Sequence, residues 1–423
     1  MKIVLGMILF VAHLFAVDAT IEISKKKDKI YKVMVEDSTT KEIGASLSKK
    51  FFKLLLGDLK VSSNFEVIED HFKKSFDATY ITEDVLAKNA ELILRYKLEF
   101  SDNKALTAKV RLYSVRSNSI MVEKSYNMSN TKMYPFLSHK IISDLNKEMG
   151  SGSIDWMNRY VIFSKYTSSG NSSIYLSDYT LTYQKRVVSK GLNLFPKWGD
   201  EEQRTIYYTK IQNDTPTLYR YNLYSGKKQL ITQSEGMLVC SDVSEDGSKL
   251  VLTMSPNGLP DIYVYDLNTK QKQRITKFSG IDVGGQFVEG TSKVVYVSDK
   301  LGYPNIYLAN TQSGDSQRLV YHGKNNSSCT ANGDYIVYSS REFKKDSDGS
   351  SIFNLYLIST SSDFIRQLTS YGKNMFPKFA KGSDAVLFIK SYKNQSSLGL
   401  IRLNANISFD FPLKVGKIQS IDW

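Results

Sequence analysis

The sequence predicts a small α/β N-terminal domain followed by an all-β six-bladed β-propeller that its own C-terminal strand closes. Three observations carry this prediction. A pair of strand-like runs recurs at a nearly constant interval through the second part of the chain, the segment before it mixes helical and strand periodicity, and the chain stops on KIQSIDW, an opening strand with nothing after it. Self-similarity at a period of about 40–45 residues is the mark of propeller blades.

The elements follow in order. MKIVLGMILFVAHLFAVDA has a lysine at position 2, an apolar core and small residues near its end. This reads as a secretory signal peptide over residues 1–19, too short and too abruptly ended to span a membrane. Cleavage before Thr20 leaves Thr20-Ile21-Glu22-Ile23 as a short alternating peptide, with a polar tether as far as Lys29. Alternation of this kind suits an extended segment that adds to a sheet or groove.

Residues 30–150 form the α/β domain. IYKVMVED and NFEVIED read as strands, and KEIGASLSKKFFKLLLGDLK as a helix with Ile43, Leu47, Phe51, Leu54 and Leu55 on one side. ITEDVLAKNA reads as a capped short helix. Three longer strands run through ELILRYKLEFSD, LTAKVRLYSVRSN and SIMVEKSYNM, and FLSHKIISDLNKEMG is a helix stopped by Gly150. The hinge lies near GSGS, and SIDW at 153–156 reads as linker.

Residues 151–423 hold the repeat. Its anchors are Tyr175, Tyr219, Tyr263, Tyr307, Tyr356 and Ile401, the first four each 44 residues apart. An apolar run precedes each anchor, and a short strand follows most of them. A further strand opens each unit and ends on a packing position, read as Trp198, Val243, Phe287, Cys329 and Phe379. Six units have second strands, but only five have opening strands before them. KIQSIDW supplies the sixth: Trp423 lies 44 residues after Phe379 and takes the same position. Closing the ring in this way leaves no sheet edge bare. The cysteines Cys240 and Cys329 fall two units apart, which points to free, buried thiols rather than a disulfide.

The net charge of +13 is spread along the chain, with Lys25-Lys26-Lys27 as its longest cluster. Nucleic-acid binders concentrate such charge beside aromatics, so this composition excludes that class, and the mature chain reads as a monomer with no spanning segment. Neither G-x-S-x-G nor H-E-x-x-H occurs, and the histidines are scattered, which argues against a propeller-type hydrolase. Asp346-Ser347-Asp348-Gly349 resembles a fragment of a calcium loop but lacks the remaining ligands. No metal and no cofactor is indicated. An exported glycan- or peptidoglycan-binding propeller is the other class that the aromatic content permits.

The order of parts resembles the TolB family, periplasmic proteins of the Tol–Pal system. The likeness covers the whole chain behind the signal peptide. It rests on the helix Ser138-His139-Lys140-Ile141-Ile142-Ser143-Asp144 ending at Gly150, and on remnants of a WSPDG blade signature in WGDEEQR, VSEDGSK, CTANGD and FAKGSD. The resemblance implies a non-catalytic periplasmic scaffold that supports outer-membrane integrity and constriction during division. It implies binding of the lipoprotein Pal through the propeller, and of the TolA C-terminal domain through Thr20–Ile23. Other outer-membrane proteins and bacteriocins are further implied partners. His139 and Asp144 would mark the domain junction. The residues entering the opening strands are placed to meet a partner at the channel mouth: Asn193, Phe195, Met237, Cys240, Asp282, Gln286, Asn326 and Asn374. Where the family often carries His-Asn-Gly at the third entry, this chain has Met237-Leu238-Val239.

Overall fold

In the computed structural model, residues 29–345 and 349–423 are described. The signal peptide, Thr20–Ile23, Lys25–Lys27 and Asp346-Ser347-Asp348 lie outside the described residues.

The N-terminal domain opens with β1 (Tyr31–Asp37), α1 (Ala45–Ser62) and β2 (Phe65–Lys73). It continues with α2 (Glu83–Ala87), β3 (Leu92–Phe100), β4 (Leu106–Ser114), β5 (Ser119–Met128) and α3 (Tyr134–Glu148). The sheet order is β2-β1-β3-β4-β5, parallel around β1 and antiparallel beyond β3. As the central parallel strand, β1 is buried on both faces, and Val33, Met34 and Val35 are all sealed from water. Helices α1 and α3 cover one face, with Phe51, Leu55 and Leu59 packing beside Ile141, Ile142 and Leu145. Thr82 stands at the N-cap of α2 in extended conformation, but its side chain makes no capping bond. The cap expected there is absent.

Among the described residues the second domain is a β-propeller whose strands pair as two sheets of eight and two of four; by strand order they are taken in units of four, numbered along the chain. Units two to six open with Leu192–Trp198, Leu238–Val243, Asp282–Val288, Lys324–Asn332 and Lys373–Phe379. Unit one takes its opening strand, Ile418–Asp422, from the chain's end; this strand pairs antiparallel with Val161–Ser168. Single bridges at Ser172–Leu192 and Phe353–Lys373 join units one with two and five with six.

Apolar clusters lie between neighbouring units, where two sheet faces meet. Ile162, Leu176 and Trp198 sit between one and two, Leu218 and Leu252 between two and three, and Val251 and Tyr296 between three and four. Val295 and Ile336 lie between four and five, and Val337 and Phe388 between five and six. Leu387 and Leu400 of unit six join Phe163 and Ile421 of unit one in the same cluster as the N-terminal core. One apolar core therefore runs from the first domain into the propeller.

Two expectations need correction. In unit five the packing position belongs to Ala331, which pairs with Ile336 as Phe287 pairs with Val294. Cys329 lies two residues earlier, facing Tyr338. Ala331 lies 44 residues after Phe287, so the period itself points to it; reading SSC as the end of that strand places the position two residues early. SIDW at 153–156 is a packed plug rather than a slack linker. Ile154 and Trp156 are buried, and the Trp156 ring meets Trp423 edge-on at 5.3 Å. Both cysteines are buried and free.

Candidate functional site

Every opening strand carries a register shift ahead of its packing position, directly before it in units two, three, four and six and a few residues earlier in units one and five. Such bulges bend a strand and re-aim its side chains. In units two and six the bulge is a Phe-Pro pair, and the backbones of Phe195 and Phe376 adopt φ of 51° and 55°. Left-handed backbone is uncommon for aromatic residues, and here it places both rings at one mouth of the channel. Gly284 and Gly285 form the bulge in unit four; a Cβ on Gly285 would lie 2.6 Å from Val251 Cγ1. Phe195, Met237, Val239, Val283 and Phe376 then wall a cavity of about 200 Å³ that no acidic side chain lines.

One residue before each packing position stands a polar side chain, and all but Thr330 line this cavity or the one at the far mouth. In unit order these are Asp422, Lys197, Asp242, Gln286, Thr330 and Lys378. Four of them accept from the backbone N–H of the next unit's packing residue. Asp422 Oδ2 takes Trp198 N and Asp242 Oδ2 takes Phe287 N, each at 2.9 Å. Gln286 Oε1 and Thr330 Oγ1 take Ala331 N and Phe379 N, each at 3.3 Å. The lysines cannot accept. Lys197 instead bridges Asp242 and Asp422 at 2.9 and 3.0 Å, and these two carboxylates raise its pKa against the effect of burial. This ring ties neighbouring units together around the channel.

Beyond the ring, the opposite mouth is a cavity of about 460 Å³ walled by Glu201, Glu202, Glu245, Asp246 and Glu289. Lys381 pairs with Glu245 at 3.2 Å and Glu201 at 3.7 Å. One mouth is apolar and the other acidic.

The entry residues divide in two. Asn193, Asn326 and Asn374 are fully buried, and their amides hold each opening strand to the unit before it. Asn193 Nδ2 donates to Ser172 O at 2.9 Å, Asn326 Nδ2 to Asn305 Oδ1 at 3.1 Å, and Asn374 Nδ2 to Phe353 O at 2.9 Å. Asp282 occupies the same position in unit four, where burial raises its pKa. Cys240 packs beneath the surface with Leu238 and Leu252. Phe195, Met237 and Gln286 line the apolar cavity, and Met237 is 40% exposed.

At the domain junction, His139 is fully buried between two carboxylates. Its Nδ1 lies 2.8 Å from Asp58 Oδ2 in α1, and its Nε2 lies 3.2 Å from Asp178 Oδ2 in unit one. Asp58 also accepts from Ser138 Oγ at 2.6 Å and from the Tyr179 hydroxyl. Burial alone would depress the imidazole; Asp58 and Asp178 outweigh it and push the pKa up to about 9. From unit six, Arg402 Nη1 donates to Val61 O and Ser62 O at 2.9 and 2.8 Å, capping the end of α1. Asp144 turns the other way and pairs with Lys140 at 2.9 Å on its own helix. The junction therefore belongs to His139, because Asp144 lies on a face of α3 directed away from the propeller residues that His139 meets.

Comparisons with known proteins bear on this architecture. Residues 19–121 match the TolB amino-terminal domain, and residues 157–423 match the TolB beta propeller domain. The Tol-Pal system protein TolB of Wolinella succinogenes is 45% identical over 425 residues, with both chains covered completely. That of Campylobacter jejuni is 44% identical over 423 residues, again end to end. This chain belongs to the TolB family. It is accordingly a non-catalytic protein of the Tol–Pal system. A crystal structure of TolB from Acinetobacter baumannii superposes with a TM-score of 0.75 at 19% identity, covering 93% of this chain and 96% of that one. At that identity the likeness speaks for the fold. Among the described residues no helix is long and apolar enough to cross a membrane.

The family resemblance was legible in the sequence; the channel ring and the partners of His139 were not. A polar residue beside each packing position was the available signal, charged in four of the six: Lys197, Asp242, Lys378 and Asp422. Aligning the packing positions alone passes over it.

Proposed function

We propose that this protein is a periplasmic scaffold of the Tol–Pal system, exported by residues 1–19 and built on a six-bladed ring that the C-terminal strand closes. The apolar cluster between units six and one supports closure, since it completes the succession of clusters between neighbours. The lipoprotein Pal docks at the apolar mouth, with Phe195, Met237 and Gln286 as its contacts. Asn193, Asn326, Asn374, Asp282 and Cys240 hold the mouth's frame from beneath. The peptide Thr20–Ile23 binds the C-terminal domain of TolA, which places the protein in envelope constriction and outer-membrane integrity, and leaves it open to bacteriocins.

The observation that carries this reading is a cavity walled by apolar side chains, two of them aromatics on left-handed bulges, in a member of this family. Exposed apolar groups around a concave site favour a protein partner. The test immobilises the mature protein and offers Pal, the TolA C-terminal domain and peptidoglycan fragments separately. Retention of Pal, lost in Met237→Ser, supports the mouth; retention of peptidoglycan fragments alone overturns it in favour of a glycan-binding propeller. Deleting residues 20–26 should abolish TolA binding while Pal binding survives, and undiminished TolA binding would refute the peptide's role.

A further inference from the structure

The channel ring holds two lysines and two aspartates, and its pairing is unequal. Lys197 takes both carboxylates, Asp242 at 2.9 Å and Asp422 at 3.0 Å. The second oxygen of each aspartate accepts a backbone N–H, from Phe287 and Trp198. Both carboxylates are thus committed. Lys378 holds the equivalent ring position in unit six, and among the described residues its ammonium has no ion pair or hydrogen bond. Desolvation, and then repulsion by Lys197, hold its pKa below the ordinary lysine value. Lys378 is half-buried; an ammonium brings three donors, and each one turned away from water without a partner is costly.

The surroundings say what would match it and from which side. Lys378 lines the apolar cavity, where Ser327 Oγ is buried and likewise without a partner. No acidic side chain lines that cavity, so nothing in the wall competes for the lysine. The far mouth carries Glu201, Glu202, Glu245 and Glu289, whose field repels an anion arriving by that route. A negative group can reach Lys378 favourably only through the apolar mouth.

We propose that Lys378 is the receptor for a single carboxylate, an Asp or Glu side chain on the partner segment that enters the apolar mouth. Apolar side chains of that segment rest on Phe195, Met237 and Phe376, and the acidic one reaches the floor of the cavity. A charge-assisted hydrogen bond formed there, out of water, has the strength to select one loop among many apolar ones. This rests on the mouth being the docking face, as proposed above.

The experiment compares the full mature chain with Lys378→Met and Met237→Ser in calorimetric titrations against the periplasmic domain of Pal, at low and high salt. Methionine keeps the apolar stem and removes the charge. The expected result is that Lys378→Met weakens binding by about tenfold or more and flattens its salt dependence, while its Tm equals or exceeds that of the wild type. Lys378→Met binding as tightly as wild type, with Met237→Ser impaired, would overturn the carboxylate receptor and leave the docking face standing. Wild-type affinity in both variants, or no binding by the wild type, would overturn the docking face and the receptor with it. A marked drop in Tm for Lys378→Met would also overturn the proposal, because it would mean that the fold itself satisfies the ammonium.

Discussion

Replacing His139 by alanine tests how the two domains are held together. The imidazole is fully buried and lies 2.8 Å from Asp58 and 3.2 Å from Asp178, one carboxylate from each domain. Its pKa rises from 6.5 to about 9 on folding. A raised pKa contributes stability that is fully present below the unfolded value and is lost as pH rises through the folded one. The window here is pH 6.5 to 9, and the contribution is on the order of 3 kcal/mol. Alanine leaves two buried carboxylates without their shared cation, a loss of about 3–5 kcal/mol for a broken buried pair. The lower end is expected, because Asp58 keeps Ser138 and Tyr179, and Asp178 keeps the N–H groups of Thr180 and Tyr183. Urea unfolding followed by tryptophan fluorescence reads this directly, since Trp156 sits at the junction. At pH 6 the variant should be about 3 kcal/mol less stable, and by pH 9.5 the gap should have largely closed. Parallel pH profiles for the two proteins would refute a charged histidine at the junction.

Three other outcomes follow from the same structure. Lys197→Met should cost about 3–5 kcal/mol in denaturant unfolding, because it strands Asp242 and Asp422 in the channel; an unchanged midpoint would contradict the bridge. Deleting residues 417–423 removes the strand paired with Val161–Ser168, the carboxylate on Lys197 and the Trp423–Trp156 contact. The loss should be several kcal/mol, seen as a Tm lowered by about ten degrees or more. Burial pushes the Cys329 thiol up to about 12 and that of Cys240 further still. Iodoacetamide at pH 8 should therefore leave the native protein unlabelled and modify both cysteines after unfolding; native labelling would show that the inter-unit clusters open.

The α/β domain was legible because its periodicities are local. The helix over KEIGASLSKKFFKLLLGDLK became α1, beginning at Ala45 after Gly44 turns the chain with φ of 78°. Asp58, on the buried side of that helix, gave no sign of its role, since its partners come from α3 and from unit one. The entry residues show the same limit. Position in the repeat identified Asn193, Asn326 and Asn374 as special, but an amide at a channel entry serves equally well as a partner contact or as an internal tie. Only the carbonyls of Ser172 and Phe353 and the side chain of Asn305, brought alongside by the preceding units, assign the second role.

By itself the sequence determined the repeat, the order of the domains and the origin of the missing opening strand. Each of these is written in spacing along the chain, and hydrophobic periodicity reports spacing. The tertiary structure decided which side chains share the channel, that Lys197 takes both aspartates and that Lys378 takes none. It also decided that His139 rather than Asp144 meets the propeller. Those outcomes depend on distances of a few ångströms between residues of different units, and on bulges that shift a strand by one or two positions. A period near 44 residues is insensitive to such shifts, while hydrogen bonds and ion pairs, which weaken steeply over less than an ångström, are governed by them.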